Sequence, residues 1–240
     1  MKAMILAAGL GNRLKPLTNN LPKPLVKFNQ IPMIEGVILK LLDHGMNEII
    51  VNIHHFPGKI KAFLEDKKYY DGKVKISDET DRLMDTGGGV IKAKNFFKDE
   101  ESFLVHNVDV YTNLDISSLI REHNNNDALV TIAVKKRPTS RSLLFDDQLV
   151  LTGWRHNETG ETRILKDAVK VDDYGNSCIQ VIRRDFFDLV KERGPVSLTD
   201  IYLQIAIHHT IRGFVHNQDY WYDLGRYENF KEAEEFFKLK

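Results

Sequence analysis

The chain has 240 residues, with 34 Lys plus Arg against 34 Asp plus Glu, 42% hydrophobic residues, 28% charged residues and one cysteine, Cys178. This length suits one large α/β domain spanning 1–240 with an ordinary buried core. Balanced charge excludes a broad basic field for nucleic acid or an anionic membrane, and a lone cysteine excludes an internal disulfide.

An apolar run of strand length, Lys2 to Ala8, opens the chain and stops at Gly9. The loop that follows to Leu25 is Gly-rich and carries Arg13 and Lys23 with no acidic residue. Ala7, Ala8, Gly9 and Gly11 let main-chain N–H groups approach an anion without a Cβ in the way. Arg13 offers a planar fork to phosphate oxygens, and Lys23 offers a mobile point charge. Pro16, Pro22 and Pro24 fix φ and predict a stiff, non-helical loop. A Rossmann dinucleotide site is disfavoured because Leu14 fills the third glycine position, and a Walker A loop because no Gly-Lys-Ser/Thr is present. The pattern suits a nucleoside triphosphate.

The spacing next predicts a helix over Pro32–His44, with Ile34, Val37, Ile38, Leu41 and Leu42 on one face. Strands at Glu48–Ile53 and Val74–Ser77 alternate with a helix at Pro57–Lys68. A helix over Gly87–Phe97, a strand at Ser102–His106, a capped helix over Asp115–His123 and a strand at Ala128–Lys135 continue this parallel βαβ pattern. Beyond it, Ser142–Phe145 and Gln148–Gly153 read as a hairpin and Cys178–Ile182 as a further strand. Helices are expected at Asp185–Arg193, Thr199–His209 and Arg226–Lys240, with a strand at Gly213–Asn217. The polar stretch from His156 to Gly175 is the expected mobile loop. These elements divide the chain into a nucleotide-binding part (about 1–135), an acceptor-binding part (about 136–225) and a terminal helix (226–240).

In an open parallel sheet the ligand sits beyond the carboxyl ends of the strands, so Gly9–Lys23, His54-His55, Asp78-Glu79 and Asn107–Asp109 should converge. Asp109 follows the apolar strand Phe103-Leu104-Val105, where a carboxylate needs a partner such as a metal ion, or else caps a turn with Asn113. Asp223 ends the run Tyr220-Trp221-Tyr222 and reads as a second ligand or as a helix N-cap. Thr86 with Gly87 to Gly89 offers a hydroxyl and exposed amides at a helix start, and Asp85 could accept from a base. Candidates for the acceptor by position are Gly153, Ser177, Arg137, Arg141 and Lys170. Cys178 has no adjacent base and reads as a buried apolar residue. The adjacent rings of His54-His55 and of His208-His209 diverge, which favours structural or substrate-contacting roles over zinc.

The segments Ala7–Thr18 (A-A-G-x-G-x-R-x-x-P-x-T), Pro22-Lys23-Pro24, Asp85–Gly89, Asn107-Val108-Asp109 and Trp221–Gly225 together resemble the signature of the sugar-1-phosphate nucleotidyltransferases, the nucleotide-sugar pyrophosphorylases. The resemblance covers essentially the whole chain. It is strongest to the single-domain N-acetylmuramate-1-phosphate uridylyltransferase and mannose-1-phosphate guanylyltransferase branch. It implies a nucleotide-diphospho-sugar transferase fold: a Rossmann-like mixed, mainly parallel sheet with helices on both faces and a small antiparallel sugar-binding addition. It also implies that a sugar 1-phosphate attacks the α-phosphorus of a nucleoside triphosphate and releases pyrophosphate, with Mg2+ on Asp109 and Asp223. Arg13, Lys23 and Asp109 would then be catalytic. Nucleotide contacts would come from Leu6, Ala7, Ala8, Gly9, Gly11, Asn12, Arg13, Lys23, Asp85, Thr86, Gly87 and Asn107, and sugar-phosphate contacts from Gly153, Ser177 and Arg141.

The chain departs from the family at Val108 and Cys178, where glycine is usual. The base, uracil or guanine, and any self-association stay open. Two other classes remain on the sequence: a catalytically silent nucleotide-sugar binder, and a phosphotransferase moving the γ-phosphate, which would normally carry a kinase-type loop. The N-terminal apolar run is too short for a signal peptide and no run approaches membrane-spanning length, so the expectation is an unprocessed cytoplasmic protein.

Overall fold

The computed structural model describes residues 1–191 and 194–238. Strand β1 (Ala3–Leu6) is apolar and buried throughout, because it runs through the middle of a sheet covered on both faces. Ala3 and Ile5 enter one core while Met4 and Leu6 enter the other, as a two-residue period requires. After the basic loop come a short hairpin, β2 (Lys27–Phe28) with β3 (Ile31–Pro32), and helix α1 (Met33–Asp43). Pro32 is the N-cap of α1 and not its first helical residue. Strands β4 (Ile49–Ile53) and β5 (Val74–Asp78), with α2 (Pro57–Asp66) between them, extend the sheet. Helix α3 (Asp85–Lys92) and strand β6 (Ser102–Asn107) complete a parallel block in the order β6-β1-β4-β5.

Strand β7 (Val110–Thr112) leaves the main sheet, followed by α4 (Ile116–Asn124) and β8 (Val130–Lys135). Asp115 caps α4 by accepting from the Ser117 N–H at 2.9 Å. Strands β9 (Arg141–Phe145), β10 (Leu151–His156) and β11 (Thr162–Ile164) form an antiparallel meander. The long strand β12 (Asp172–Arg183) then joins the two systems, pairing with β9 through Asp172–Tyr174 and with β6 through Ile179–Arg183. Helices α5 (Phe186–Leu189) and α6 (Leu198–Ile205), strands β13 (Ile211–Val215) and β14 (Trp221–Asp223), and helix α7 (Tyr227–Lys238) finish the chain. β13 pairs in parallel with β8, and β14 pairs antiparallel with β7. This is the expected mixed, mainly parallel sheet with an antiparallel addition.

Several sequence expectations are corrected. The segment 156–175 is not one loop, since it contains β11 and the start of β12. All three residues of β11 are exposed at the sheet edge, so no apolar alternation announces the strand. The basic loop is not free of helix: short 3₁₀ turns cover Asn12–Leu14 and Lys23–Leu25, the second admitting Pro24 because the first turn needs no N–H. The helix expected at Asp185–Arg193 is the single turn α5, and residues 192 and 193 of that expectation lie outside the described residues. Residues 239 and 240 of the expected terminal helix do so as well. The helix expected at Thr199–His209 runs Leu198–Ile205 instead. Among the described residues no helix is long and apolar enough to cross a membrane.

Candidate active site

The basic loop folds back so that Lys23 lies over Gly9, where a Cβ would stand 3.4 Å from Lys23 Nζ. At Gly11 φ is 71°, a left-handed value that favours glycine, and a Cβ there would stand 3.0 Å from Thr18 Cγ2 and 3.2 Å from Lys23 Cβ. Thr18 Oγ1 closes the fold by donating to the Gly11 carbonyl at 2.8 Å. Gly9 and Gly11 therefore clear the path of Lys23 as much as they bare the backbone.

A buried polar chain anchors the start of this loop. The Ala7 N–H donates to Asn52 Oδ1 (2.6 Å), Asn52 Nδ2 donates to Glu79 Oε1 (2.8 Å), and Glu79 Oε2 accepts from the Met84 N–H (3.2 Å). Glu79 is fully buried and Asn52 nearly so. The chain links the ends of β1, β4 and β5, so three loops at the carboxyl edge of the sheet are held in one geometry. Gly89 is small for this reason, because a Cβ would lie 2.9 Å from both Asn52 Nδ2 and Glu79 Oε1.

Two clefts open at that edge. The first, about 470 Å³, is lined by Leu6, Ala8, Gly9, Lys23, Asp85, Thr86 and Asn107, all expected there, and by Asn52, Leu83 and Pro195, which were not. Asn52 left a signal in the sequence: a lone polar residue inside the apolar run Ile49–Ile53. The second cleft, about 880 Å³, is lined by Arg13, Arg137, Arg141, Arg163 and Arg226, by the acidic Glu158, Glu161 and Asp200, and by Trp154, Asn176 and Cys178 among others. Lys23 thus faces one cleft and Arg13 the other.

Asp109 and Asp223 stand between these cations. Lys23 Nζ is 2.7 Å from Asp109 Oδ2, and both groups are largely buried. The strands β7 and β14 bring the carboxylates together, with Val110 opposite Asp223 and the Leu224 N–H donating to the Asp109 carbonyl at 2.8 Å. Gly225 leaves the space between them, since a Cβ there would collide with Asp109 Oδ2 and lie 2.9 Å from Asp223 Oδ1. Burial disfavours the Asp109 carboxylate, but the charge and hydrogen bond of Lys23, helped by Arg13, outweigh it and hold the pKa below its ordinary value. Burial first, and the neighbouring Asp109 second, push Asp223 the other way. Two close carboxylates and two cations form one electrostatic unit.

Other expected site residues are placed differently. The Gly87 and Gly88 amides are not exposed: both donate to the Val196 carbonyl, at 2.8 and 3.1 Å, and Thr86 Oγ1 accepts from the Leu198 N–H at 2.9 Å. A Cβ on Gly87 would lie 2.6 Å from Ile201 Cδ1, so this glycine run is first a docking surface for α6. Ala7 is buried under the loop, while Gly11 and Asn12 line neither cleft. Gly153 is wedged within the meander, where a Cβ would lie 2.5 Å from the Arg163 carbonyl.

Ser177 is fully buried. Its hydroxyl pairs with His216 Nε2 at 2.7 Å and its carbonyl accepts from Trp221 Nε1 at 3.0 Å. Its neighbours Asn176 and Cys178 face the second cleft instead. Between Asn176 and Gln180 the strand is irregular, and Cys178 has a φ of 59°. That left-handed value is the physical reason glycine suits this position. Cys178 is partly buried: it packs against the core as its apolar reading expects, and it also lines the cleft. Burial, with Asp109 and Asp223, pushes its thiol up to about 12, so it stays protonated. Arg137 stacks on Trp221, with its guanidinium carbon 4.0 Å from the ring centroid, and donates to the Asn176 carbonyl at 2.9 Å. His54 Nδ1 donates to the Glu79 carbonyl at 2.7 Å, a structural role.

Comparison with known proteins gives a consistent picture. The nucleotidyl transferase family matches residues 2–143. The chain is 25% identical over 248 residues to UTP–glucose-1-phosphate uridylyltransferase of Synechocystis, covering 97% of this chain and 62% of the relative. It is 28% identical over 237 residues to mannose-1-phosphate guanyltransferase of Yarrowia lipolytica, covering 96% and 62% respectively. The chain therefore spans under two thirds of the length of these curated relatives. Its fold matches the crystal structure of HddC from Yersinia pseudotuberculosis complexed with GMP-PN, with a TM-score of 0.78, 22% identity and coverage of 98% of this chain and 99% of that one.

Proposed function

The chain belongs to the nucleotidyl transferase family, and from that premise we propose that it joins a nucleoside triphosphate to a sugar 1-phosphate and releases pyrophosphate. The observation that carries this reading is the straddling of two clefts by one basic loop, with Lys23 on the first, Arg13 on the second and Asp109 with Asp223 between them. A phosphotransferase moving the γ-phosphate finds no support in such an arrangement, since it has no kinase-type loop. Retention of Lys23 and both carboxylates argues against a silent binder.

In this reading the nucleoside occupies the first cleft, its phosphates run past Asp109 toward Arg13, and the acceptor takes the second cleft. The attacking phosphate oxygen is already an anion, so no general base is required, and catalysis rests on alignment and charge neutralisation. Lys23 bridges the α-phosphate and the acceptor phosphate, and Arg13 offsets charge on the departing pyrophosphate. The Ala7–Asn52–Glu79 chain keeps the loop from moving as charge shifts. The oxygen-only pair Asp109 and Asp223, around the space kept by Gly225, fits magnesium, which takes one or two carboxylates and completes its shell with water and phosphate. When bound there, Mg2+ would polarise the α-phosphate and draw two anionic substrates together.

For the acceptor, an acidic sugar phosphate such as N-acetylmuramate 1-phosphate with UTP is the preferred reading. Arg163 at the second cleft is matched by Glu161 (3.2 Å) and Asp200 (3.8 Å), but Arg137 and Arg141 form no ion pair among the described residues and leave positive charge for an acidic group beside the phosphate. GTP with mannose 1-phosphate is the second reading, favoured by the likeness to a mannose-1-phosphate guanyltransferase. A matrix of four nucleoside triphosphates against N-acetylmuramate, mannose, glucose and N-acetylglucosamine 1-phosphates, scored by pyrophosphate release, tests both. One productive pair, slowed roughly a hundred- to thousandfold by Asp109→Asn, is expected. Nucleotide binding without any pyrophosphate would favour the silent binder.

A further inference from the structure

Arg137 follows the last residue of β8 by two positions and lines the second cleft. Its guanidinium is held from several sides. Besides the stack on Trp221, Nη1 donates to the Pro138 carbonyl at 3.3 Å and Nη2 to the Asn176 carbonyl at 2.9 Å. Gly175 of β12 stands against the same group, where a Cβ would lie 2.8 Å from Arg137 Cζ and 2.9 Å from Nε. Gly175 has no left-handed φ that would call for glycine, so the missing Cβ is accounted for by the guanidinium that takes its place.

The charge fixed in this seat has no counter-charge. Arg137 forms no ion pair among the described residues, and its two hydrogen bonds to carbonyls use two of five donors. Burial disfavours the cation and pulls its pKa below the ordinary value, with Cys178 and Asp223 offsetting part of that. Of the acids that line the cleft, Glu161 and Asp200 are matched by Arg163, and Glu158 is exposed on the turn between β10 and β11. A half-buried cation left unpaired by the protein favours a ligand that brings an anion to it. The reacting phosphate already has Lys23 and Arg13, so the seat at Arg137 is left for a second anionic group.

We propose that Arg137 reads a carboxylate on the acceptor, so that the second cleft selects sugar 1-phosphates carrying a carboxyl group over neutral ones, an assignment that rests on the nucleotidyl-transfer reading of the two clefts. A guanidinium meets a carboxylate with two parallel N–H···O bonds, a match that a lysine ammonium cannot make. Because the fork is held before the ligand arrives, little side-chain freedom is lost on binding. Trp221, on which it stacks, is fixed in turn by its indole N–H on the Ser177 carbonyl at 3.0 Å and stands two residues before Asp223. A carboxylate docked on Arg137 is thereby placed at a set distance from Asp109 and Asp223, and the acceptor phosphate with it.

The test compares two matched pairs of acceptors with the productive nucleotide: N-acetylmuramate 1-phosphate against N-acetylglucosamine 1-phosphate, and glucuronate 1-phosphate against glucose 1-phosphate. In at least one pair kcat/KM should favour the acid at least tenfold. Arg137→Gln should cut that ratio roughly ten- to hundredfold, the worth of a hydrogen bond to a charged group. Gly175→Ala keeps the charge but displaces the fork, and should cut the ratio as well. A wild type that prefers the neutral sugar in both pairs would overturn the proposal. So would variants that slow acidic and neutral acceptors equally, which is the mark of a merely structural arginine. Silence of the wild type with all four acceptors and every nucleotide would overturn the transfer reading itself, and this proposal with it.

Discussion

The two clefts are built in opposite ways. The first lies over parallel strands whose loops are tied by buried hydrogen bonds, Ala7 to Asn52 to Glu79 to Met84, and by the docking of Gly87 and Gly88 on Val196. The second is rimmed by arginines on antiparallel strands and loops, and its member Arg141 is exposed and forms no ion pair among the described residues. The same contacts that shape the first cleft hold the fold together, whereas the rim of the second can change without disturbing the core. Stability and chemistry are thus coupled on one side and separable on the other.

The largest effect is expected where the two sides meet. Lys23→Met or Asp109→Asn should each lower the rate of pyrophosphate release roughly a hundred- to thousandfold, the worth of about 3 to 4 kcal/mol of preorganised charge. Acceptor binding should change little. On the braced side, Asn52→Ala leaves the buried Ala7 N–H and a Glu79 oxygen unpaired, and urea denaturation should show a loss of about 2 to 4 kcal/mol. Turnover should fall with it, because the loop carrying Lys23 loses its anchor. On the rim, Arg141→Ala should raise the KM for an acidic sugar phosphate roughly tenfold and leave the urea midpoint unchanged. If Arg141→Ala destabilised the chain as much as Asn52→Ala does, the contrast would break.

Acid probes the buried framework behind the clefts, since His106, His123 and His216 line neither of them. Burial holds His106 near about 3 and both His123 and His216 near about 4, below the ordinary 6.5, so all three are neutral in the fold. A depressed folded pKa means that the stability is complete above the unfolded value and is lost as pH falls. Between about pH 6.5 and 4 each histidine should cost roughly 1.4 kcal/mol per pH unit, read from urea midpoints across that range. A flat profile would mean that these rings are protonated in the fold.

Much of the first cleft was legible because its residues fall in short segments next to strands that announce themselves by apolar runs. The basic loop, Asp85-Thr86 and Asn107 all fall at predictable strand or helix ends. The meeting of Asp109 with Asp223 was legible only through family resemblance, since β7 and β14 have three residues each and no length over which a period could show. The second cleft was hidden by parity: Ser177 and its neighbours differ by one residue, and an irregularity in β12 decides which of them face outward. Gly87 misled because a glycine at a helix start serves close packing as readily as anion binding.

The central claim is that the α-phosphate is passed between the clefts while the outer phosphates leave. Its most direct test is to supply the productive nucleotide labelled with ³²P at either the α or the γ position and to separate the products. The account predicts α-label in the nucleotide sugar and γ-label in pyrophosphate. Label from the γ position on the sugar product would contradict it.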